Sequence, residues 1–378
     1  MRRGVVPRLG TVAFAVAGAL AGVPAVGAHT GTTHAGTPHW VLLALFLLGV
    51  VAVVVGRVAV QRSRLTPTAG VVVLLTGVVV AGVGAIGLVE IQVVSTVGPT
   101  LDHLYPIASL IVGTSVMVGS LVATRAYWPD RPRYAVLGGL LGAWILYPNV
   151  LPNGGIRNPL GYVLVLGLPV AVGYVLRVDA AVGLRATVRD RFARTIGLVS
   201  GVLVAVIVAF SAGTVSVNPD HGVNMPAGAF VRYFPVADPL VTWPAVEFYV
   251  PSIPLAGMVS VGTVVLFGVL GGLVGLNVAV VAHQWRRGAD LSLRGTLLGS
   301  LTTTGATACC CCAPAMYGVI SAVFGTAASP VYWAFMDTSS PLSSAFLAAS
   351  VLLLTGSLVH ATSGPTGESG DLAAGVSL

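Results

Sequence analysis

Polar residues are scarce along this chain, and they fall in short clusters between long apolar runs. The runs predict helices at about 40–60, 68–89, 104–124, 134–151, 160–178, 194–213, 254–282, 294–312, 314–329 and 341–361. Most approach the ~20 apolar residues that a helix needs to cross hydrocarbon. The run at 314–329 is short and follows Pro314, so it reads as either a span or a re-entrant segment. The pattern therefore predicts an all-α, polytopic integral membrane bundle of about eight or nine spans. One interval breaks the rhythm. Residues 214–253 are dense in proline and aromatics and show no helical period. They read as a long loop: a packed cap, an interfacial anchor through Trp243, Phe248 and Tyr249, or a ligand site.

The start of the chain is a different kind of apolar run. Arg2, Arg3 and Arg8 precede an apolar core at 9–23, and Val26-Gly27-Ala28 ends it. This is the layout of a secretory signal peptide; the alternative is an uncleaved first membrane helix. The predicted organisation is a signal peptide at 1–28 and a histidine-containing leader at 29–39. A first membrane bundle of about six spans follows at 40–213, then the long loop at 214–253. A second bundle with a cysteine run occupies 254–361, and a flexible tail 362–378.

Composition narrows the class. Of 378 residues, 56% are hydrophobic and 8% charged, against roughly 25% charged in a soluble domain. A soluble globule, a disordered chain and a coiled coil are all excluded as readings of the whole. All 19 basic residues are arginine, and they are sorted. With the mature N-terminus outside, 17 of the 19 fall on the inner side, leaving only Arg157 and Arg232 outside. The basic balance is therefore a topology signal and implies no nucleic acid. No P-loop is present, so no nucleotide is implied either. Five of the seven histidines fall on the outer side, with Glu90, Asp102, Asp220, Asp238 and Glu247. Glycines at Gly138-Gly139 with Gly142, and at Gly271-Gly272 with Gly275, predict close helix approaches.

Three groupings carry candidate chemistry. Cleavage after Ala28 would leave His29 with a free amine, followed by His34 and His39; imidazole and amine are good ligands for Cu(II), and the alternative is a flexible polar leader whose histidines only serve solubility. Glu90, Asp102 and His103 lie at one membrane depth, where a carboxylate and an imidazole can share a metal or a proton; the alternative is that all three only meet solvent or headgroups at the interface. The four cysteines form one run, Cys309 to Cys312, in which Cys309 and Cys312 share a helical face, with Met316 four residues on. That spacing suits Cu(I) or a redox thiol pair; the alternative is small apolar residues at a tight crossing. Asp220-His221 with Asn224 and Met225 reads as a solvated turn beside Asn218-Pro219; the alternative is copper binding by His221 and Met225, four residues apart.

Part of the chain resembles a known family. After the span ending near Glu90 come Leu104-Tyr105-Pro106-Ile107, the glycine-rich Val136 to Gly142, and Leu146-Tyr147-Pro148-Asn149 followed by Pro152. Over residues 40–178 this order resembles the A subunit of membrane copper monooxygenases of the particulate methane and ammonia type. Val150 and Leu151 stand where that family has a tryptophan, and the span after Tyr105 lacks its acid. The cysteine run followed by Pro314 is similar to membrane mercury-uptake proteins. The resemblance implies copper at the outer face. The expected function is copper binding or handling there, with transport. The alternatives are a subunit of a copper-dependent monooxygenase with further membrane subunits, and a metal-free module with a binding cap. The expected metal ligands are His29, His34, His39, Glu90, Asp102, His103, Cys309, Cys312 and Met316. The expected location is the cell membrane, in contact with lipid.

Overall fold

The computed structural model describes residues 39–61, 67–90, 101–217, 228–253, 255–286, 330, 334–335, 337 and 339–362. Its helices are α1 (His39–Gln61), α2 (Pro67–Glu90), α3 (Tyr105–Tyr127), α4 (Arg133–Val150), α5 (Pro159–Asp179), α6 (Ala181–Arg189), α7 (Arg191–Ser211), α8 (Val261–Arg286) and α9 (Pro341–Thr362). Among the described residues, five helices are long and apolar enough to cross a membrane: α3 with its preceding turn, α5, α7, α8 and α9. Helices α1 and α2 contain shorter apolar stretches. The membrane-protein reading thus stands in its coarse form. The expected runs at 294–312 and 314–329 lie outside the described residues, as do residues 1–38 and 363–378; of the expected leader only His39 is described, as the first residue of α1.

Local signals set the helix starts. Asn158 caps α5 by accepting the Leu160 N–H at 2.9 Å, and Pro159 occupies the first turn. Asp190 caps α7 by accepting the Phe192 N–H at 3.0 Å. Each satisfies one of the amide donors that a helix leaves unpaired at its start.

Small residues set the packing. Gly197 and Gly201 on α7 face Gly271 and Gly275 on α8. A Cβ on Gly275 would lie 2.6 Å from the Gly197 carbonyl, and one on Gly201 2.6 Å from the Gly271 carbonyl. Gly142 meets Met117 and the Gly113 carbonyl in the same way, closing α3 on α4. The expected glycine faces are therefore present. They are selective, because Gly139 and Gly272 have nothing within 4 Å of an added Cβ. The core lies where α4, α5, α8 and α9 converge, on Leu141, Ile145, Leu168, Val351, Leu354 and Leu358.

The all-α expectation needs a correction. Between α7 and α8 the chain forms a four-stranded antiparallel sheet: β1 (Val215–Ser216), β2 (Phe230–Ala237), β3 (Thr242–Val250) and β4 (Leu255–Ser260), in the order β1-β4-β3-β2. The interval expected as a loop holds β1, β2 and β3. The span expected from 254 instead begins with β4, and its helix starts at Val261.

Two prolines hid these strands, and the register explains how they are accommodated. Pro235 of β2 lies directly opposite Pro244 of β3. The Thr242 N–H points away from β2, to the Ile156 carbonyl at 2.9 Å. Antiparallel ladders alternate every second residue, so position 244 also turns its missing N–H away from β2. On that side β4 has already ended, since Ala245 pairs with its last residue, Ser260. Pro235 sits on an edge strand, where proline is tolerated. Neither proline deletes a ladder bond.

The sheet is anchored to the bundle. The Tyr162 hydroxyl donates to the Thr242 carbonyl, and its ring meets Trp243 edge-on at 4.8 Å. The Trp243 indole donates to the Pro239 carbonyl at 3.0 Å. Val241 and Trp243 are buried in the helical core cluster.

Candidate functional site

The molecule has two chemically different ends. One carries the sheet. The other collects Arg125, Arg131, Arg133, Arg177, Arg185, Arg189, Arg191, Arg194 and Arg286 at the ends of α3 to α8.

At the sheet end, Asp102 and His103 form a single 3₁₀ turn before α3, and both are exposed. The Asp102 carboxylate accepts the His103 backbone N–H at 3.0 Å. His39 opens α1 and Glu90 closes α2. His29, His34, Cys309, Cys312 and Met316 lie outside the described residues. Among the described residues, no group of three His, Cys, Asp or Glu side chains is placed to hold a metal ion. Of the expected ligand set, the structure thus shows one adjacent pair of side chains, accessible and unburied.

The Tyr147-Pro148-Asn149 segment is a tie-point. The Tyr147 hydroxyl donates to the Gly155 carbonyl at 2.7 Å and the Asn158 carbonyl at 3.1 Å, closing the turn between α4 and α5. Asn149 donates to the Ser339 carbonyl at 2.8 Å, fixing the entry to α9.

The arginine-rich end holds two ion-pair networks that the arginine pattern did not disclose. In the first, the Asp179 carboxylate at the end of α5 accepts two hydrogen bonds from the Arg133 guanidinium. Arg131 approaches the same carboxylate at 3.6 Å and donates to the Tyr134 hydroxyl at 3.3 Å. Asp179 is 5% exposed and Arg133 15%. Removing one partner of such a half-buried pair leaves the other charge less well compensated.

In the second network, Asp190 stands between His283 and Arg286, both near the end of α8. The His283 Nδ1 lies 3.2 Å from one carboxylate oxygen, and Arg286 donates to the other at 2.7 Å. Desolvation pushes the Asp190 carboxyl up. Hydrogen bonds from His283 and the Phe192 N–H, with the charge of Arg286, outweigh that and hold it below its ordinary value. The signal for both networks is in the sequence: single aspartates embedded in arginine-rich connections, adjacent to helix ends.

Beside the first network is a cavity of about 650 Å³ between α3, the start of α4 and α9. Ligand cavities run to roughly 300–1,000 Å³. Trp128, Arg131, Tyr134 and His360 line its arginine-rich end, while Val116, Leu137 and Leu352 line its deeper part. The Trp128 and Tyr134 rings meet edge-on at 5.7 Å. Thr355, buried in its wall, has a hydroxyl with no hydrogen-bond partner among the described residues.

No family model, no curated protein and no solved structure matches this chain.

Proposed function

We propose that this chain is a multi-pass protein of the cell membrane that binds and passes on a soft transition metal ion, copper foremost, at its extracytoplasmic face. In this reading the arginine-rich end is cytoplasmic, and the sheet and mature N-terminus are extracytoplasmic. One observation carries the metal assignment. The only four cysteines of the chain are consecutive, Cys309 to Cys312, with Met316 four residues beyond. Thiolate and thioether donors select Cu(I). His29, His34 and His39 add imidazoles on the extracytoplasmic side. The exposed Asp102–His103 turn at the sheet end supports an accessible entry point. In this scheme the leader histidines capture the ion, Asp102 and His103 hold it near the membrane with Glu90, and Cys309 and Cys312 receive it.

The test is metal analysis of the purified full chain after copper loading, beside the His103→Ala and the Cys309→Ser/Cys312→Ser variants. Near-stoichiometric copper in the parent, lost in the double cysteine variant, is the expected result. A parent without bound metal removes both copper readings and leaves the metal-free module. Copper with substrate-dependent oxygen consumption in place of vesicle uptake would favour an oxygenase subunit, as the resemblance over residues 40–178 suggests.

A further inference from the structure

We propose that the cavity between α3, α4 and α9 binds a single-chain amphiphile with an anionic headgroup, drawn from the bilayer. The site is at the opposite end of the molecule from Asp102 and His103, and the proposal does not depend on the metal reading.

The shape of the cavity is the first argument. Its lining runs along α3 from Ser115 to Trp128 just past the helix end, thirteen residues at ~1.5 Å each, or roughly 20 Å. Half of the hydrocarbon core is about 15 Å thick, so one extended chain fits with its headgroup. The width comes from two glycines. An added Cβ at Gly119 or Gly356 would meet nothing within 4 Å. Both glycines line the cavity, so here the missing side chains leave open space, whereas Gly275 and Gly201 serve to bring helices together.

The polarity gradient is the second argument. The deep part is walled by Val116, Leu137 and Leu352. The arginine-rich end presents the Trp128 and Tyr134 rings, which suit the boundary between hydrocarbon and headgroup. It also presents Arg131. Asp179 already accepts two hydrogen bonds from Arg133, and its nearest approach to Arg131 is 3.6 Å. The Arg131 side chain is 42% exposed. A guanidinium with donors to spare, at the mouth of an apolar slot, recognises a carboxylate or a phosphate monoester.

Thr355 supplies an independent sign of an occupant. Ser350 and Thr362 on the same helix each donate to the carbonyl one turn earlier, Phe346 at 2.9 Å and Leu358 at 2.6 Å. Thr355, 3% exposed, makes no such bond. A buried hydroxyl without a partner costs free energy unless something reaches it.

The full chain in phosphatidylcholine nanodiscs tests this, titrated with 11-(dansylamino)undecanoic acid against protein-free discs. Saturable binding is expected, displaced by hexadecanoate. Arg131→Gln should weaken it about tenfold, with partial recovery in Arg131→Lys. Thr355→Val should weaken it a few-fold. Gly119→Leu and Gly356→Leu should abolish it while leaving the melting temperature unchanged or raised. Unaltered binding in both leucine variants would overturn the proposal. Displacement by hexadecanol equal to that by hexadecanoate would overturn the anionic headgroup. Displacement by acetate or inorganic phosphate at similar concentrations would assign the site to a free anion.

Discussion

Two aspartates outside the spanning helices have opposite environments, and the difference gives them opposite pH signatures. Asp190 is held below its ordinary value of 3.8 by His283, the Phe192 N–H and Arg286, against the desolvation it suffers. A lowered carboxyl contributes stability that is complete above 3.8 and fades as pH falls through the folded value. Asp238 is the reverse. It is half-buried at the end of β2, and burial alone raises it above 3.8. Its ionisation therefore costs stability, increasingly as pH rises from 3.8 to the folded value and constantly beyond. Asp238→Asn should raise the melting temperature of the detergent-solubilised chain at pH 7, and the gain should vanish below pH 3.8. Asp190→Asn should lower it at pH 7, and that loss should vanish on acidification. Trp243, buried and hydrogen-bonded to the carbonyl of Pro239 next in sequence to Asp238, gives the fluorescence readout for the first. Parallel pH profiles for the two variants would contradict both assignments. The sequence marked Asp190 only as a lone aspartate in an arginine-rich connection and did not identify its partners. Contacts such as Asp190 to Arg286 join residues 96 positions apart, which no local pattern encodes.

At the scale of elements, what the sequence disclosed depended on whether the element carried its own signal. The apolar runs and the structure agree within a few residues for α1 to α5, α7 and α9, because hydrocarbon-length apolarity is a property of each segment alone. The sheet was invisible for the opposite reason. Prolines argue against strands, and only the cross-strand register of Pro235 with Pro244, with β4 ending at Ser260, makes both harmless. Glycine pairs were legible as a class, but not which member makes contact. That distinction is testable. Gly275→Leu forces its side chain against the Gly197 carbonyl, so α7 and α8 must separate. Overpacking of this kind costs about 1–3 kcal/mol. Gly272→Leu, one turn away in open space, should change the melting temperature little. Equal losses in the two variants would mean that the α7–α8 crossing is not built on Gly197, Gly201, Gly271 and Gly275.

Across the whole molecule, charge sorting links the sequence to an orientation. The two arginine-bearing networks, Arg133 with Asp179 and Arg286 with Asp190, tie the ends of α4, α5, α7 and α8 together. Thr362 at the end of α9 packs against Gly183 of α6 at that same end. The sheet closes the other end through Thr242 and Ile156. A chain folded this way presents one strongly basic rim and one aromatic, strand-bearing rim. The proposed orientation, with the basic rim in the cytoplasm, rests on the positive-inside rule and is open to a direct test. Two exposed positions report on it. Val182 on α6 is 83% exposed, and Tyr233 on β2 is 82% exposed. Single Val182→Cys and Tyr233→Cys variants, each compared with the parent for added thiol labelling, address opposite rims. A membrane-impermeant maleimide applied to intact cells should label the Tyr233→Cys chain and spare the Val182→Cys chain until the membrane is permeabilised. The inverse pattern would place the sheet in the cytoplasm and turn the cavity of Arg131 and His360 outward. It would also remove the extracytoplasmic entry point on which the metal reading relies.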